Sequence, residues 1–176
     1  MPAKDKKSGV AKTTVLQKVA LVLLLLFIGL SILPYLLPLR PLENRAADLA
    51  FENSSFTSFN DIIVHYRYWP AATATDSNIL LVHGFGGSTF SWRFTAPYLA
   101  SLGYDVYALD LPGFGLSDRQ VGIDHRSVAR AALTWDLLEN LAPASPWHLV
   151  GHSMGGAVVT EVTLQRPQQV ESLVLA

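Results

Sequence analysis

The chain has 176 residues, half of them hydrophobic and 15% charged, and no cysteine. Such a composition packs a core of about one domain and argues against disorder, while the missing cysteines exclude disulfides, thiolate metal sites and cysteine nucleophiles. The net charge of −1 is unevenly spread: residues 1–18 hold five lysines against one aspartate, about +4, and the remainder holds eight arginines against thirteen acids, −5.

Lys4, Lys6, Lys7, Lys12 and Lys18 precede residues 19–39, which carry no charge. A helix of that length spans about 30 Å, the hydrocarbon thickness of a bilayer. Three readings compete: a retained anchor, a cleaved secretory signal and a core helix. The apolar stretch of a signal usually runs about 7–15 residues to a small-x-small site. Here the flank is "RPLENRAADLA", with no such site close by. Residues 21–27 are apolar on every face, unlike an amphipathic core helix. The expectation is a basic cytoplasmic tail over 1–18, a single-pass transmembrane signal anchor over 19–39, a linker over 40–53 and a folded domain over 54–176. The lysines keep the amino end in the cytoplasm and place the domain on the extracytoplasmic side. Pro34, Pro38 and Pro41 are expected to end the span. Asn53-Ser54-Ser55 is a glycosylation sequon, relevant only in a eukaryotic source.

Residues 54–59 and 62–69 read as strands around an Asn60-Asp61 turn. "ILLVHG" (79–84) is a continuous apolar run, the mark of a strand buried on both faces. "FGGSTFSW" is a glycine-rich loop, and "TAPYLASLG" a helix with Pro97 near its first turn and Gly103 as its stop. "DVYALDL" (105–111) is a second buried strand, followed by the loop "PGFGLSD". In "DHRSVARAALTWDLLENLA" the apolar positions Val128, Ala132, Trp135 and Leu138 predict an amphipathic helix. "WHLV" (147–150) is a strand, "MGGAVVTEVTLQ" a helix stopped by Arg166-Pro167, and "VESLVLA" a last strand. Strands alternating with helices from residue 78 on predict a parallel sheet with helices on both faces. No basic patch with interleaved aromatics occurs in the body, so no nucleic-acid partner is expected.

Between the strand at 147–150 and the next helix lies Gly151-His152-Ser153-Met154-Gly155, a G-x-S-x-G pattern. The pattern is weak alone but sits where a nucleophilic serine needs it, on a sharp strand-to-helix turn. Such a turn strains the serine backbone and lifts its hydroxyl clear of the sheet. Gly151 and Gly155 are expected to approach closely across the turn, and Gly156 to let the helix sit tightly on the sheet. The helix amino terminus aims free N–H groups at the same place, so the Met154 N–H is one oxyanion donor. A second is expected from the backbone N–H of Phe85 in "HGFGG" (83–87), where Gly84 and Gly86 let the backbone approach a substrate.

"LLVHGFGGSTFSW", "YALDLPGFGLSD", "LVGHSMGG" and "RPQQVESLVLA" follow one another as they do in the α/β-hydrolases, and residues 54–176 resemble the amino-terminal part of that family. The resemblance implies a mostly parallel sheet with helices on both faces and Ser153 as nucleophile. It implies Phe85 and Met154 as the oxyanion hole. A serine at this position separates the chain from the similar dehalogenases and epoxide hydrolases, which use aspartate there.

Such a serine needs a base and an orienting acid, and the resemblance implies that they follow it in the chain, acid first and histidine second. After Ser153 come Glu161 and Glu171, both expected on the surface, and no histidine. His152 should point away from its neighbour. His83 is expected to be a structural hydrogen-bonding residue, His65 and His148 lie within strands, and His125 caps a helix start or is solvated. Asp110 ends a strand on the active edge, and in similar sequences this aspartate supports loops. The resemblance implies eight strands, of which about six are here. The acid, the histidine and any cap are expected beyond Ala176, and the chain alone is expected to lack useful turnover.

The reading that results is a membrane-anchored serine hydrolase acting on a small-molecule ester or related acyl compound. Phe85, Phe90, Trp92 and Phe114 would suit an apolar acyl group, with Trp92 and Phe114 as pocket candidates. Acyl transfer, perhydrolysis and carbon–carbon hydrolysis use the same machinery, and a non-catalytic binding member of the fold is a further alternative. No metal-ligand cluster or phosphate loop appears, so no cofactor is expected.

Overall fold

The computed structural model describes residues 14–37, 46–73, 76–142 and 145–176. The tail up to residue 13, Pro38, Pro41 and linker residues 40–45 lie outside the described residues. The chain divides into two compact units, Met1–Glu43 and Asn44–Ala176.

The first unit contains helix α1, Val15–Leu36. It starts earlier than residue 19 because Thr14 caps it. The Gln17 N–H donates to Thr14 Oγ1 at 3.3 Å, and the Thr14 N–H donates to Gln17 Oε1 at 2.8 Å. This reciprocal box satisfies two amide donors that the first turn leaves free. Lys18 therefore lies inside the helix. Pro34 also lies inside it, in the last turn, and does not end it as expected. The helix closes two residues later, with the Leu37 N–H on Leu33 O at 3.2 Å. All its side chains are exposed, and it is long and apolar enough to cross a bilayer.

The second unit is built on a six-stranded sheet. Strands β1 (Ser54–Phe59) and β2 (Ile62–Trp69) form the expected hairpin. Asn60 and Asp61 both adopt left-handed φ, 49° and 63°. That is the geometry of a two-residue loop matched to strand twist. Then follow β3 (Asn78–Val82), helix α2 (Thr95–Ser101), β4 (Asp105–Leu109) and helix α3 (Ser127–Leu141). Strand β5 (Trp147–Gly151), helix α4 (Met154–Gln165) and β6 (Val170–Leu175) complete the chain. The strand order is β1-β2-β4-β3-β5-β6. Strands β3 to β6 are mutually parallel, whereas β1 and β2 pair antiparallel, so the sheet is mixed.

Alternation along the inner strands feeds two cores. Leu80, Val82, Tyr107, Leu109 and Leu149 face the layer containing Trp135, Leu137 and Leu138 of α3 and Val158, Val159 and Val162 of α4. Ile79, Leu81, Val106 and Ala108 face Ala96 and Ala100 of α2. Each large apolar side chain so buried contributes about 1.5–3 kcal/mol. Every residue of β3 is buried, as its unbroken apolar run requires. The strand expected over 105–111 stops at Leu109, although Asp110 and Leu111 remain buried.

Helix α3 corrects one expectation. Trp135 and Leu138 are buried, but Val128 is 57% exposed and Ala132 is also exposed. The buried arc is Arg130, Ala131, Leu133, Thr134, Trp135, Leu137 and Leu138. Packing on both α4 and the sheet covers a wider arc than one apolar stripe, and it takes in a polar and a charged residue.

Candidate active site

Register places the two glycine-rich loops side by side. In the parallel β3–β5 pair, Val82 is opposite Gly151, so "HGFGG" and "HSMGG" leave the sheet together at its carboxyl edge. The His152 N–H donates to Val82 O at 3.0 Å. A Cβ on Gly84 would lie 2.6 Å from His152 Nδ1, so only glycine admits the ring there. Gly86 turns the loop at φ +71°, a left-handed conformation that glycine adopts without strain.

Ser153 follows directly, exposed, with φ +50° and ψ −113°. A side-chain-bearing residue held there stores about 1–3 kcal/mol of strain. The surroundings hold it in place. The Ser153 N–H donates to Ala176 O at 2.9 Å, and the Ala176 N–H donates to Gly151 O at 3.0 Å. A Cβ on Gly151 would sit 2.5 Å from Gly155 O and from Val159 Cγ2. A Cβ on Gly155 would strike the Val82 and His83 carbonyl oxygens of the neighbouring strand, so Gly155 is the residue that seats α4 on the sheet. Gly156 does not have that role: its added Cβ would meet nothing nearer than 3.5 Å, an ordinary contact.

Met154 is the first residue of α4, so its N–H has no partner within the helix. No backbone bond among the described residues takes the Phe85 N–H either. The Phe85 ring is 83% exposed and meets Phe114 edge-on, with centroids 5.8 Å apart; Phe114 meets His83 at 5.3 Å. Trp92 is half-buried and lines a cleft of about 290 Å³ with His83, Ser91, His152 and Ala176. Its Nε1–H is buried without a hydrogen-bond acceptor.

His83 is structural, as expected. Its Nδ1–H donates to Gly84 O at 2.8 Å and its Nε2 accepts from the Leu111 N–H at 3.2 Å. Both nitrogens are engaged and the tautomer is fixed. Burial also pushes its pKa down, so the ring is neutral. His125 caps nothing: α3 begins without a side-chain cap, and His125 Nδ1 faces Arg130 Nη2 at 3.3 Å. Among the described residues no histidine hydrogen-bonds the Ser153 hydroxyl.

A Ser–His–Asp chain does occur elsewhere. Buried His65 donates Nδ1–H to Asp110 Oδ2 at 2.7 Å, and its Nε2 lies 2.7 Å from Ser54 Oγ. Ser54 is on β1, four strand positions from β5 and so on the order of 19 Å away. Its oxygen already accepts the Phe51 N–H at 3.0 Å. The motif serves the fold. Asp110 also accepts the Thr89 N–H at 2.5 Å and the Leu116 N–H at 2.9 Å, tying both active-edge loops to β2. Burial is the largest influence on this carboxyl and opposes its charge. The bonds from His65, Leu116 and Thr89 together outweigh it and hold the pKa below the ordinary value.

Sequence reasoning missed Arg130. It is buried, donates Nη1–H to Met154 Sδ at 3.0 Å, and holds its Cζ 5.4 Å from the Phe114 ring centroid. Among the described residues it has no carboxylate partner, and its Nε–H is unsatisfied. A buried cation thus lies beneath the start of α4. The only signal in the sequence is an arginine on the inner arc of an amphipathic helix. Among the described residues no group of three or more His, Asp or Glu side chains could hold a metal ion.

The strand order, the crossovers and a strained serine between β5 and α4 together define a hydrolase-type scaffold. The sequence signature of the alpha/beta hydrolase fold matches residues 78–176, and the chain belongs to that family. Lipase 3 of Moraxella sp. (strain TA144) is 30% identical over 131 residues, covering 74% of this chain and 40% of the lipase. Lipase 1 of Psychrobacter immobilis is 32% identical over 131 residues, covering 74% and 39%. The crystal structure of a probable hydrolytic enzyme from Pseudomonas aeruginosa PAO1 is similar with a TM-score of 0.66 at 33% identity, over 69% of this chain and 40% of that one. The chain spans about 40% of the length of each of these three relatives.

Proposed function

We propose that this chain carries the nucleophilic half of a membrane-anchored serine hydrolase acting on an ester or related acyl substrate. Ser153 is the nucleophile, and the Phe85 and Met154 N–H groups receive the oxyanion. The observation that carries this reading is the exposed Ser153 at φ +50°, set at the first turn of α4. A hydroxyl there attacks a carbonyl carbon while the developing negative charge meets fixed amide dipoles. Each such donor lowers the barrier by about 3–4 kcal/mol. The cleft beside Trp92 takes the acyl group, with Phe85 and Phe114 on its oxyanion side. The base and the orienting acid are supplied by residues outside this chain. Helix α1 anchors the protein, with the lysine-bearing segment that precedes it in the cytoplasm and the hydrolase domain on the other side.

The test is labelling of the full-length protein by a fluorophosphonate probe. Labelling is expected in the wild type and lost in Ser153→Ala. A non-catalytic binding role is favoured by one observation, the absence of a histidine on the Ser153 hydroxyl among the described residues. An unlabelled full-length wild type would establish that second reading.

A further inference from the structure

One side of the domain carries aromatic rings and guanidinium groups in alternation. Arg67 Cζ lies 4.6 Å from the Trp69 ring centroid and 4.0 Å from that of Phe51. Phe51 stacks on Phe90 at 6.3 Å, with planes 17° apart. Arg93 Cζ is 4.5 Å from the Phe90 centroid and 4.6 Å from that of Phe94. Tyr98 in α2 and Leu102 just past its end continue the four-residue spacing. Phe90, Phe94, Tyr98 and Leu102 are 51%, 75%, 63% and 57% exposed, because α2 gives its other side, Ala96 and Ala100, to the sheet. A contiguous row of large apolar groups in water marks an interaction surface.

The chemistry of the row narrows the partner. Arg67 Nε–H goes to Asn53 Oδ1 and Arg93 Nη1–H to Phe90 O, but neither guanidinium has a carboxylate within ion-pair distance among the described residues. Glu52 lines the groove beside Arg67 without pairing with it. Their remaining donors are free for an anion, and aromatic rings beside arginines suit the headgroup layer of a bilayer. The same chain carries α1. Residues 37–45 join Leu36 to Ala46, a link that reaches on the order of 35 Å when fully extended.

We infer that the Phe51–Phe90–Phe94–Tyr98 face is a membrane-docking surface, with its rings at the acyl boundary and Arg67 and Arg93 on anionic lipid phosphates. This rests on the reading of α1 as an anchor. Ser91 and Trp92, from the same turn as Phe90, line the cleft together with His152 and with Ala176, whose carbonyl accepts the Ser153 N–H, so a docked domain presents that cleft near the lipid.

The chain has no cysteine, so single labels can be introduced freely. The full chain is placed in phosphatidylcholine–phosphatidylglycerol vesicles with an environment-sensitive fluorophore on Leu25→Cys, Tyr98→Cys, Leu102→Cys or Val121→Cys. Quenching by nitroxide lipids is then compared. Strong quenching is expected at 25. At 98 and 102 it should exceed that at the solvent-exposed 121 by about twofold or more, and Arg93→Glu should reduce it. No quenching at 25 overturns the anchor reading and the docking with it. Quenching at 25, with 98 and 102 no different from 121, overturns the docking alone. A blue-shifted label at 98 that lipid nitroxides do not quench means that protein covers the face, and also overturns it.

Discussion

A methyl group added at Gly155 would fall on the Val82 and His83 carbonyl oxygens, while one added at Gly156 would meet only ordinary contacts. Two adjacent glycines of one helix turn therefore respond oppositely to alanine. Gly155→Ala is expected to lower stability by about 1–3 kcal/mol or more, because the helix must lift from the sheet. Gly156→Ala should be neutral or stabilising by about 0.5–1 kcal/mol, as for glycine in a helix interior. Urea unfolding midpoints measure both. Asp110 belongs to the same scale. Its folded pKa is depressed, so its stabilising contribution is present above the ordinary carboxylate value near 3.9 and is lost as pH falls through the folded value. From about pH 6 to about pH 3 the wild type should lose more stability than Asp110→Asn, which has no charge to neutralise. Equal losses would show that other carboxylates govern acid unfolding.

Among the elements, α3 separates what sequence pattern reveals from what it conceals. The strand at 79–82 was legible because burial on both faces demands an unbroken apolar run, whereas the strand at 147–151, which alternates buried and half-buried residues, was legible from its place before the glycine-rich turn. The helix starting at Met154 was legible from the glycines around Ser153. The inner arc of α3 was not, because apolar spacing fixes a helix but leaves the width of its buried face to its neighbours. Arg130 lies in that arc and Val128 outside it. Leu137→Ala should therefore cost about 2–5 kcal/mol, and Val128→Ala no more than about 0.5 kcal/mol. Equal effects on thermal unfolding would mean that the helix is rotated from this placement. The His65–Asp110 pair was equally concealed. Both residues were visible in the sequence, but the long-range pairing of β2 with β4 brings them together. The start of α1 was missed for a local reason, a capping box outside the uncharged window.

Across the whole domain, the sheet is buried at its centre and open at β6. Leu173, Val174 and Leu175 are 36%, 51% and 59% exposed on that outer strand. An apolar edge with free backbone groups invites strand addition by another chain. In detergent solution the 176-residue chain should self-associate, and Val174→Lys should shift it toward monomer by light scattering. A Val174→Lys chain as associated as wild type would place the sticky surface elsewhere.

The same outer strand has a temporal consequence. The Ser153 amide rests on the carbonyl of Ala176, and the Ala176 amide on that of Gly151. The contorted serine is thus clamped by the chain segment that emerges from the ribosome after it. Before β6 has docked, the turn lacks these two hydrogen bonds and is held only by the close glycine contacts of Gly151 and Gly155. The backbone geometry of the turn at Ser153 therefore depends on a strand that follows it in the chain, and is complete only once that strand is in place.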